Sequence, residues 1–262
     1  KNNFHSIIPK QLIDKKNRMI SMTQFKKIAF VVTVHWSDEI RPNGQDLLLR
    51  YLSSIYEHCN YDFHIFIVDN ESQYELSIPD DDKCTHIRID NQYEKGLTGA
   101  WNRGLFEAFN QNYDILINCN DDLWFNNTIN NMIECMISHN DSENIIFCPL
   151  TDGVLGGNSL QYSTKPRTGL GHLSCTAWNL SPNGFMFGMT KNHYDKYKFK
   201  KTEYFNEHHS YNEGDGKWGG QEGQWIENQP KGNYGIIVNE CFVHHDKIRA
   251  WKTPRNIERG IK

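Results

Sequence analysis

The chain has 262 residues, 38% of them hydrophobic and 13% aromatic, and its 28 Lys and Arg residues face 32 Asp and Glu residues, for a formal net charge of −4. A chain of this length buries roughly 70–75% of the surface that its unfolded form exposes, so we expect a globular protein with one sizeable core. The charge balance excludes a protein that reads the nucleic-acid backbone, because such proteins need a clustered excess of Lys and Arg. A small-molecule substrate, and no nucleic-acid partner, is therefore predicted.

Apolar runs in the chain are short. The longest, 28–34, has the length of a strand, whereas a helix that spans a bilayer needs about 20 residues. We therefore predict no transmembrane segment and a cytoplasmic protein, with at most a peripheral contact at the cytosolic face of a membrane. The seven cysteines form no Cys-x-x-Cys pair, and buried thiols in a reducing compartment are the prediction.

The first half of the chain alternates between strand and helix patterns. Residues 1–26 are polar and basic and are predicted to be an N-terminal extension. The β-branched run 27–35 predicts a strand buried on both faces. Apolar residues at three- and four-residue intervals predict a helix over 45–58. Further strands are predicted over 63–68, 86–89 and 113–118, and a helix over 99–110.

The second half is less regular. Residues 153–184 are rich in Gly, Ser, Thr, Asn and Pro and predict a loop. The other predicted elements are helices over 128–139, 192–197 and 224–228 and strands over 145–149, 185–189 and 235–243. Strands that alternate with helices build a mainly parallel sheet covered on both faces. Ligands bind such sheets at the carboxyl ends of the strands, where the polar clusters of this chain lie.

The first polar cluster is Asn120-Asp121-Asp122, which follows an apolar strand. Two adjacent carboxylates repel each other, and a divalent cation relieves that repulsion while it leaves ligand positions for phosphate oxygens. A turn capped by its own side chains is the alternative interpretation.

Two further clusters are suited to a nucleotide. Asp69, in the segment Val68-Asp-Asn-Glu-Ser72, can accept from the N–H of a pyrimidine or from a ribose hydroxyl, although helix capping would place the same residue there. Gly96 and Gly99 open a helix, where small residues let the backbone approach an anion. A tightly packed helix start is the alternative for these glycines.

The last two clusters carry candidate catalytic and metal-binding groups. Glu222 lies between glycines and aromatics, where desolvation would raise its pKa toward that of a general base, although an exposed turn acid fits the pattern equally. His244 and His245 end the last predicted strand, and neutral imidazole is a ligand for Mn²⁺. Lys247 and Arg249 follow and could neutralise a diphosphate.

Taken in order, these motifs resemble those of GT-A fold glycosyltransferases of family 2, especially its rhamnosyltransferase-like members. The segment 68–72 is similar to the family's Val-Asp-Asn-x-Ser, and Gly96 to Gly104 approximates its glycine-rich run. Asn120-Asp121-Asp122 takes the Asp-x-Asp position. Trp218-Gly-Gly-Gln-Glu222 is similar to the Gly-Gly-Glu-Asp of inverting members, with Gln-Glu in place of Glu-Asp. The resemblance covers about 27–252.

The resemblance implies one α/β domain of GT-A type over 27–262, with a mixed, mainly parallel nucleotide-binding sheet flanked by helices. Its nucleotide-sugar-binding half would be 27–125 and its loop-rich acceptor and catalytic half 126–262. The implied reaction is a metal-dependent transfer of a sugar, with inversion, from a UDP- or TDP-type donor. The acceptor would be a hydroxyl of a glycan, lipid or protein.

The resemblance also assigns roles to single residues. Asp122, His244 and His245 would hold Mn²⁺ or Mg²⁺. Glu222 would be the catalytic base, with Asp215 as the alternative. The residues expected at the nucleotide-sugar donor are Thr33, Val34, His35, Asp69, Asn70, Ser72, Gly96, Gly99, Asn102, Asn120, Asp121, Trp218, Lys247 and Arg249.

Two other functions stay open at this point. A sugar nucleotidyltransferase would share the sheet and the metal, but it would carry a Gly-rich loop with Arg and Lys after the first strand, where this chain has Thr33-Val-His-Trp-Ser-Asp38. A non-catalytic sugar- or nucleotide-binding module is also open, because Gln221 stands where relatives carry an acid.

Overall fold

A computed structural model describes residues 26–90, 92–153, 160–169, 175–178, 183–207 and 235–246, with the backbone alone for 92–95 and 175–178. Residues 1–25 of the predicted N-terminal extension and the helix predicted over 224–228 lie outside these ranges. The strands are β1 (Ile28–Val34), β2 (Phe63–Asn70), β3 (Cys84–Ile89), β4 (Ile115–Asn120), β5 (Leu123–Trp124), β6 (Ile146–Thr151), β7 (Cys175–Trp178), β8 (Met186–Thr190) and β9 (Gly235–His245). The helices are α1 (Gly44–His58), α2 (Gln92–Asn110), α3 (Ile129–Ser138) and α4 (Lys191–Tyr197).

The strands form one nine-stranded sheet in the order β3-β2-β1-β4-β8-β6-β9-β5, with β7 paired to β9. β1 runs parallel to both β2 and β4, β2 runs parallel to β3, and β6 runs parallel to β9. β8 lies antiparallel between β4 and β6, and β5 and β7 are antiparallel to β9. The predicted mixed, mainly parallel sheet flanked by helices is confirmed.

The sheet has a separate apolar core on each face. Phe30 and Val32 of β1 point to the side covered by α1 and α3, where Leu48 and Met132 are fully buried. Ala29, Val31 and their neighbours in β4 point to the side covered by α2 and α4, where Trp101 and Tyr194 are buried. All seven residues of β1 are buried, because alternate side chains enter opposite cores.

Two glycines of α2 have conformational and packing roles. The helix begins at Gln92 rather than at the predicted Gly99, and Gly96 interrupts it with φ 58° and ψ −149°, which glycine adopts without the penalty of a side chain. At Gly104 an added Cβ would lie 2.3 Å from Cγ1 of Val31. Its absence lets α2 lie directly on β1.

Four strands differ from the prediction in ways that affect the polar edge. β2 and β4 extend to Asn70 and Asn120, two residues beyond their predicted ends. β7 occupies 175–178, inside the predicted loop, because pairing with β9 stabilises a segment that has little strand pattern of its own. The two-residue β5, also absent from the prediction, pairs Leu123 with His245 and Trp124 with His244.

A shift in register between β6 and β9 bends the sheet near the polar edge. Pro149 of β6 pairs with Val238, but the next residue, Leu150, pairs with Phe242. Residues of β9 inserted in this way increase local twist and re-aim the rest of the strand. The second half of β9 thereby reaches β5 and brings its two terminal histidines beside residues that follow β4.

The described helices and cysteines bear on the predictions of membrane spans and of free thiols. No helix within them is long and apolar enough to cross a membrane. The six cysteines whose side chains are described carry thiols rather than disulfides, and four of these thiols are buried. The cytoplasmic location itself stays a prediction.

A buried histidine makes the stability of the fold depend on pH. His193 of α4 is fully buried, and its Nε2 lies 2.7 Å from the hydroxyl of Tyr204. Burial lowers the pKa of His193 to about 3, from an ordinary value of 6.5. Between these two pH values the unfolded chain binds a proton that the folded protein excludes. The contribution of His193 to stability is therefore fully present above pH 6.5 and decreases as the pH falls below that value.

We expect the free energy of unfolding to fall by about 2 kcal/mol between pH 6.5 and pH 5 from this residue alone. Urea titrations at the two pH values measure the difference. A His193→Gln variant should show a correspondingly weaker pH dependence. Identical pH dependence in the two proteins would mean that His193 does not exclude its proton in the folded state.

Candidate functional site

The candidate site lies where β1, β2 and β4 end, at the carboxyl edge of the parallel half of the sheet. Register places Thr33 of β1 beside Asn120 of β4, and Val34 beside Asp69 of β2. Predicted donor-site residues from three separate segments are therefore neighbours. This is the arrangement expected for a ligand that crosses the ends of several parallel strands.

Asp121 and Asp122 follow β4 directly and are both buried, with relative exposures of 3% and 0%. Oδ1 of Asp122 lies 3.3 Å from Nε2 of the buried His245, whose ring stacks on Phe185 at a centroid distance of 5.0 Å. Asp122 is within ion-pair distance of His245 and Arg41, but neither of its carboxylate oxygens and neither ring nitrogen of His245 makes a well-aligned hydrogen bond in the described part of the chain. Buried polar atoms without such bonds are costly and point to an absent ligand.

An arginine that sequence reasoning missed completes this cluster. Arg41 is buried, its Nε donates to Oδ2 of Asp121 at 3.0 Å, and its Nη2 donates to Oδ1 of the same carboxylate. Nη2 also lies 3.5 Å from Oδ2 of Asp122. In the sequence, Arg41 is a single cation in a polar loop, so no local pattern distinguishes it from a solvated surface residue.

The two carboxyl groups differ in their ionisation. Burial raises the pKa of Asp121 despite the charge of Arg41, and the negative charge of Asp122 adds to the rise. Burial acts on Asp122 in the same direction, but the imidazole of His245 and the guanidinium of Arg41 outweigh it and lower the pKa of Asp122. Asp122 therefore keeps its negative charge to a lower pH than Asp121 does.

His244 occupies a different environment from His245. Its Nδ1 lies 2.9 Å from Oδ2 of Asp152, and its ring stacks on Trp124 at 4.9 Å with an interplanar angle of 9°. The guanidinium of Arg50 lies over the same indole at 4.1 Å. Of the three predicted metal ligands, the structure brings Asp122 and His245 together and does not bring His244 to them.

The predicted nucleotide contacts fall into two groups. The side-chain oxygens of Thr33, Asn70 and Asn120 are buried at the sheet edge with no hydrogen-bond partner among the described residues. By contrast, Asp69 already accepts from the backbone N–H of Ser72 at 2.9 Å and from Nη1 of Arg88 at 2.8 Å. The first three side chains therefore have unused acceptors for a ligand at this edge.

His35 belongs to the loop that supplies Arg41. Its Nδ1 lies 2.8 Å from the carbonyl oxygen of Asn70, and its Nε2 lies 2.8 Å from Oγ of Ser37. Burial lowers the pKa of His35 against the opposing hydrogen bond to Asn70, and the charge of Arg41 also lowers it. We therefore expect a neutral imidazole.

Asn102 has a structural use that its motif did not suggest. Its amide oxygen accepts from the backbone N–H groups of Tyr204 and Phe205 at 3.0 and 2.9 Å. Its amide nitrogen donates to the carbonyl oxygen of Phe205 at 2.8 Å. The side chain thus holds residues 204–205 against α2.

Three further predicted site residues are buried in the described part of the chain. Gly96 and Gly99 are buried in the first turns of α2, and Val34 is buried at the end of β1. Asp215, Trp218, Glu222, Lys247 and Arg249 lie outside the described residues.

The ion pair of Arg41 is expected to contribute strongly to stability. Removing one partner of a buried pair leaves an uncompensated charge, so Arg41→Met should lower the free energy of unfolding by about 3–5 kcal/mol. The melting temperature in calorimetry should fall by roughly 10 °C.

The matched control is Arg103→Met, because Arg103 is half exposed and pairs with Glu107 one helical turn away. That change should cost about 0.5 kcal/mol or less. Equal stability of the two variants would contradict a charged, buried pair at Asp121.

Comparison with known proteins agrees with this geometry. Residues 42–201 match the family model described as "Glycosyl transferase family 2". Solved structures with a significant match number 208 chains. Two of them are crystal structures of residues 1–349 of TarS from S. aureus. The first has a TM-score of 0.51, and the second, which is in complex with UDP, has a TM-score of 0.54. Both are 12% identical to this chain and cover 84% of it.

This chain spans 60% of the length of each TarS structure, and at 12% identity the likeness concerns the fold alone. The search of curated protein sequences returned no match. The family match covers more than half of the 262 residues, and the sheet has the predicted mixed, mainly parallel form. This chain therefore belongs to glycosyl transferase family 2.

Proposed function

We propose that this protein is a glycosyltransferase, which moves a sugar from a nucleoside diphosphate donor, of UDP or TDP type, to a hydroxyl of a glycan, lipid or protein. The observation that carries the proposal is the buried pair of Asp122 and His245 at the carboxyl edge of the parallel strands, whose oxygen and nitrogen atoms make no well-aligned hydrogen bond among the described residues. A donor diphosphate at this edge would lie beside them. The UDP named with one TarS structure makes UDP the first nucleotide to test.

A divalent cation suits the chemistry of this pair. The described residues contain no group of three or more His, Cys, Asp and Glu side chains placed to hold a metal ion. Asp122 and His245 would therefore act as two protein ligands, and water and the diphosphate would complete the coordination of Mn²⁺ or Mg²⁺. When bound, the cation would supply positive charge to the departing nucleoside diphosphate.

The chain's own residues have three further tasks in this proposal. Thr33, Asn70 and Asn120 would receive hydroxyl or N–H groups of the nucleoside, because their buried oxygens have no described partner. Lys247 and Arg249 would pair with the phosphates, as the sequence order predicts.

Deprotonation of the acceptor is the third task. Inversion needs one base that takes the proton of the attacking hydroxyl in line with the departing nucleotide. We assign that role to Glu222, with Asp215 as the alternative, from the sequence motif alone.

Thermal stabilisation by nucleotides tests the proposal, because a ligand that binds the native state raises its melting temperature. We expect UDP or TDP to raise the melting temperature with Mn²⁺ present and to have a smaller effect without it. GDP serves as the comparison for the base. No shift with any of the three nucleotides would contradict nucleotide-sugar chemistry and favour the binding-module alternative.

Donor hydrolysis separates the proposal from that alternative. Transferases commonly release some sugar to water, and the nucleoside diphosphate then accumulates without an acceptor. A binding module should release none. Membership in family 2 gives no support to the nucleotidyltransferase alternative.

A further inference from the structure

Arg41 occupies a place in the donor site that neither the motif order nor the family match assigns. Among the described Lys and Arg residues, Arg41 is the one that forms ion pairs with the two buried carboxylates: its Nε and Nη2 donate to Asp121, and its Nη2 lies 3.5 Å from Asp122. A planar guanidinium with two donors suits a carboxylate or a phosphate equally well. Nη1 donates to none of the described residues.

The loop around Arg41 holds the guanidinium in place. The backbone N–H groups of Ser37 and Arg41 each donate to the other's carbonyl oxygen, at 3.3 and 3.1 Å. Oγ of Ser37 accepts from the backbone N–H of Ile40, and an added Cβ at Gly44 would lie 2.4 Å from the carbonyl oxygen of His35. A loop packed so closely delivers its side chain without a large ordering cost on ligand binding.

Charge counting then gives Arg41 a defined effect. Asp121, Asp122 and Arg41 together carry a single negative charge. A bound divalent cation would change the net charge of this group to a single positive charge. A diphosphate is attracted to the second state and repelled by the first. Without Arg41, the carboxylates would attract the cation more strongly and would be neutralised by it, with no positive charge left for the diphosphate.

We propose that Arg41 is a further positioning residue of the donor site, which weakens binding of a divalent cation alone and strengthens binding of that cation together with a nucleoside diphosphate. The inference rests on the proposed function, because it takes Asp122 and His245 as the cation ligands. It predicts that the empty enzyme holds metal weakly and that metal and donor bind together.

The test measures two affinities in each protein. Electron paramagnetic resonance of free Mn²⁺ gives the affinity for Mn²⁺ alone, and calorimetry at saturating Mn²⁺ gives the affinity for UDP. In Arg41→Gln we expect Mn²⁺ alone to bind about tenfold more tightly and UDP about tenfold more weakly. Changes of opposite sign are the signature, since a damaged fold would weaken both.

Two further variants keep the test decisive if Arg41→Gln is too unstable to measure. The double variant Arg41→Gln with Asp121→Asn removes one charge of each sign, so its affinity for Mn²⁺ alone should return close to that of the wild type. Arg41→Lys keeps the charge but loses the fork, and it should retain the weak binding of Mn²⁺ alone.

Each possible outcome bears on the inference. The role of Arg41 would be overturned, while the proposed function stands, if both affinities of Arg41→Gln moved in the same direction or stayed unchanged. It would also be overturned if the double variant and the wild type differed in their affinity for Mn²⁺ alone. A wild-type protein that binds UDP neither with nor without Mn²⁺ would overturn the proposed function and this inference together.

Discussion

An Asp122→Asn variant should lose Mn²⁺-dependent stabilisation by UDP and at least about 100-fold of sugar transfer. Asparagine keeps the size of the side chain but removes the charge that Asp122 retains in its buried position. Loss of a preorganised electrostatic group that stabilises developing charge typically costs this much. Transfer rates measured by release of nucleoside diphosphate, together with thermal shifts, check both parts.

The adjacent histidines supply the matched control. His245→Gln should reproduce most of the loss, because its Nε2 lies 3.3 Å from Asp122. His244→Gln should keep Mn²⁺-dependent binding, because its ring pairs with Asp152 and stacks on Trp124. Equal losses in both histidine variants would favour the sequence prediction that both are ligands. Unchanged metal dependence in Asp122→Asn would refute the proposed site.

A Glu222→Gln variant should lose about 100-fold or more of its turnover while it still binds UDP with Mn²⁺. Glutamine cannot take a proton from the attacking hydroxyl, and loss of a general base costs this much. The side chain stays nearly the same size, so donor affinity measured by calorimetry should change little.

Asp215→Asn is the companion variant, because Asp215 is the alternative base. If Asp215→Asn loses turnover and Glu222→Gln does not, the role passes to Asp215. Near wild-type turnover in both variants would contradict a base from this segment. Wild-type protein that binds UDP but never releases it from a donor would instead indicate a binding module.

The parts of the fold that sequence could predict are those specified by local patterns. The seven apolar residues of β1 and the three- and four-residue spacing along α1 are readable because periodicity reports which faces are buried. The short strands β5 and β7 were not readable, since two to four residues carry little pattern and their pairing with β9 stabilises them.

The candidate site divides in the same way. Asp122 and the histidine pair could be found from sequence, because polar residues directly after an apolar strand mark its carboxyl end. Which histidine meets Asp122 could not be found. Successive side chains of a strand point to opposite faces, and the register shift of β9 against β6 after Pro149 decides how that strand meets β5.

The sequence by itself determined the family, the parallel half of the sheet and the acidic pair at its edge, because each is encoded in short runs of residues. Only the tertiary structure decided that His245 rather than His244 lies beside Asp122, and that Arg41 pairs with an aspartate 80 positions further along the chain. Contacts of such long range depend on how strands and loops pack. A single arginine in a polar loop has no local signal that distinguishes burial beside a carboxylate from exposure to water.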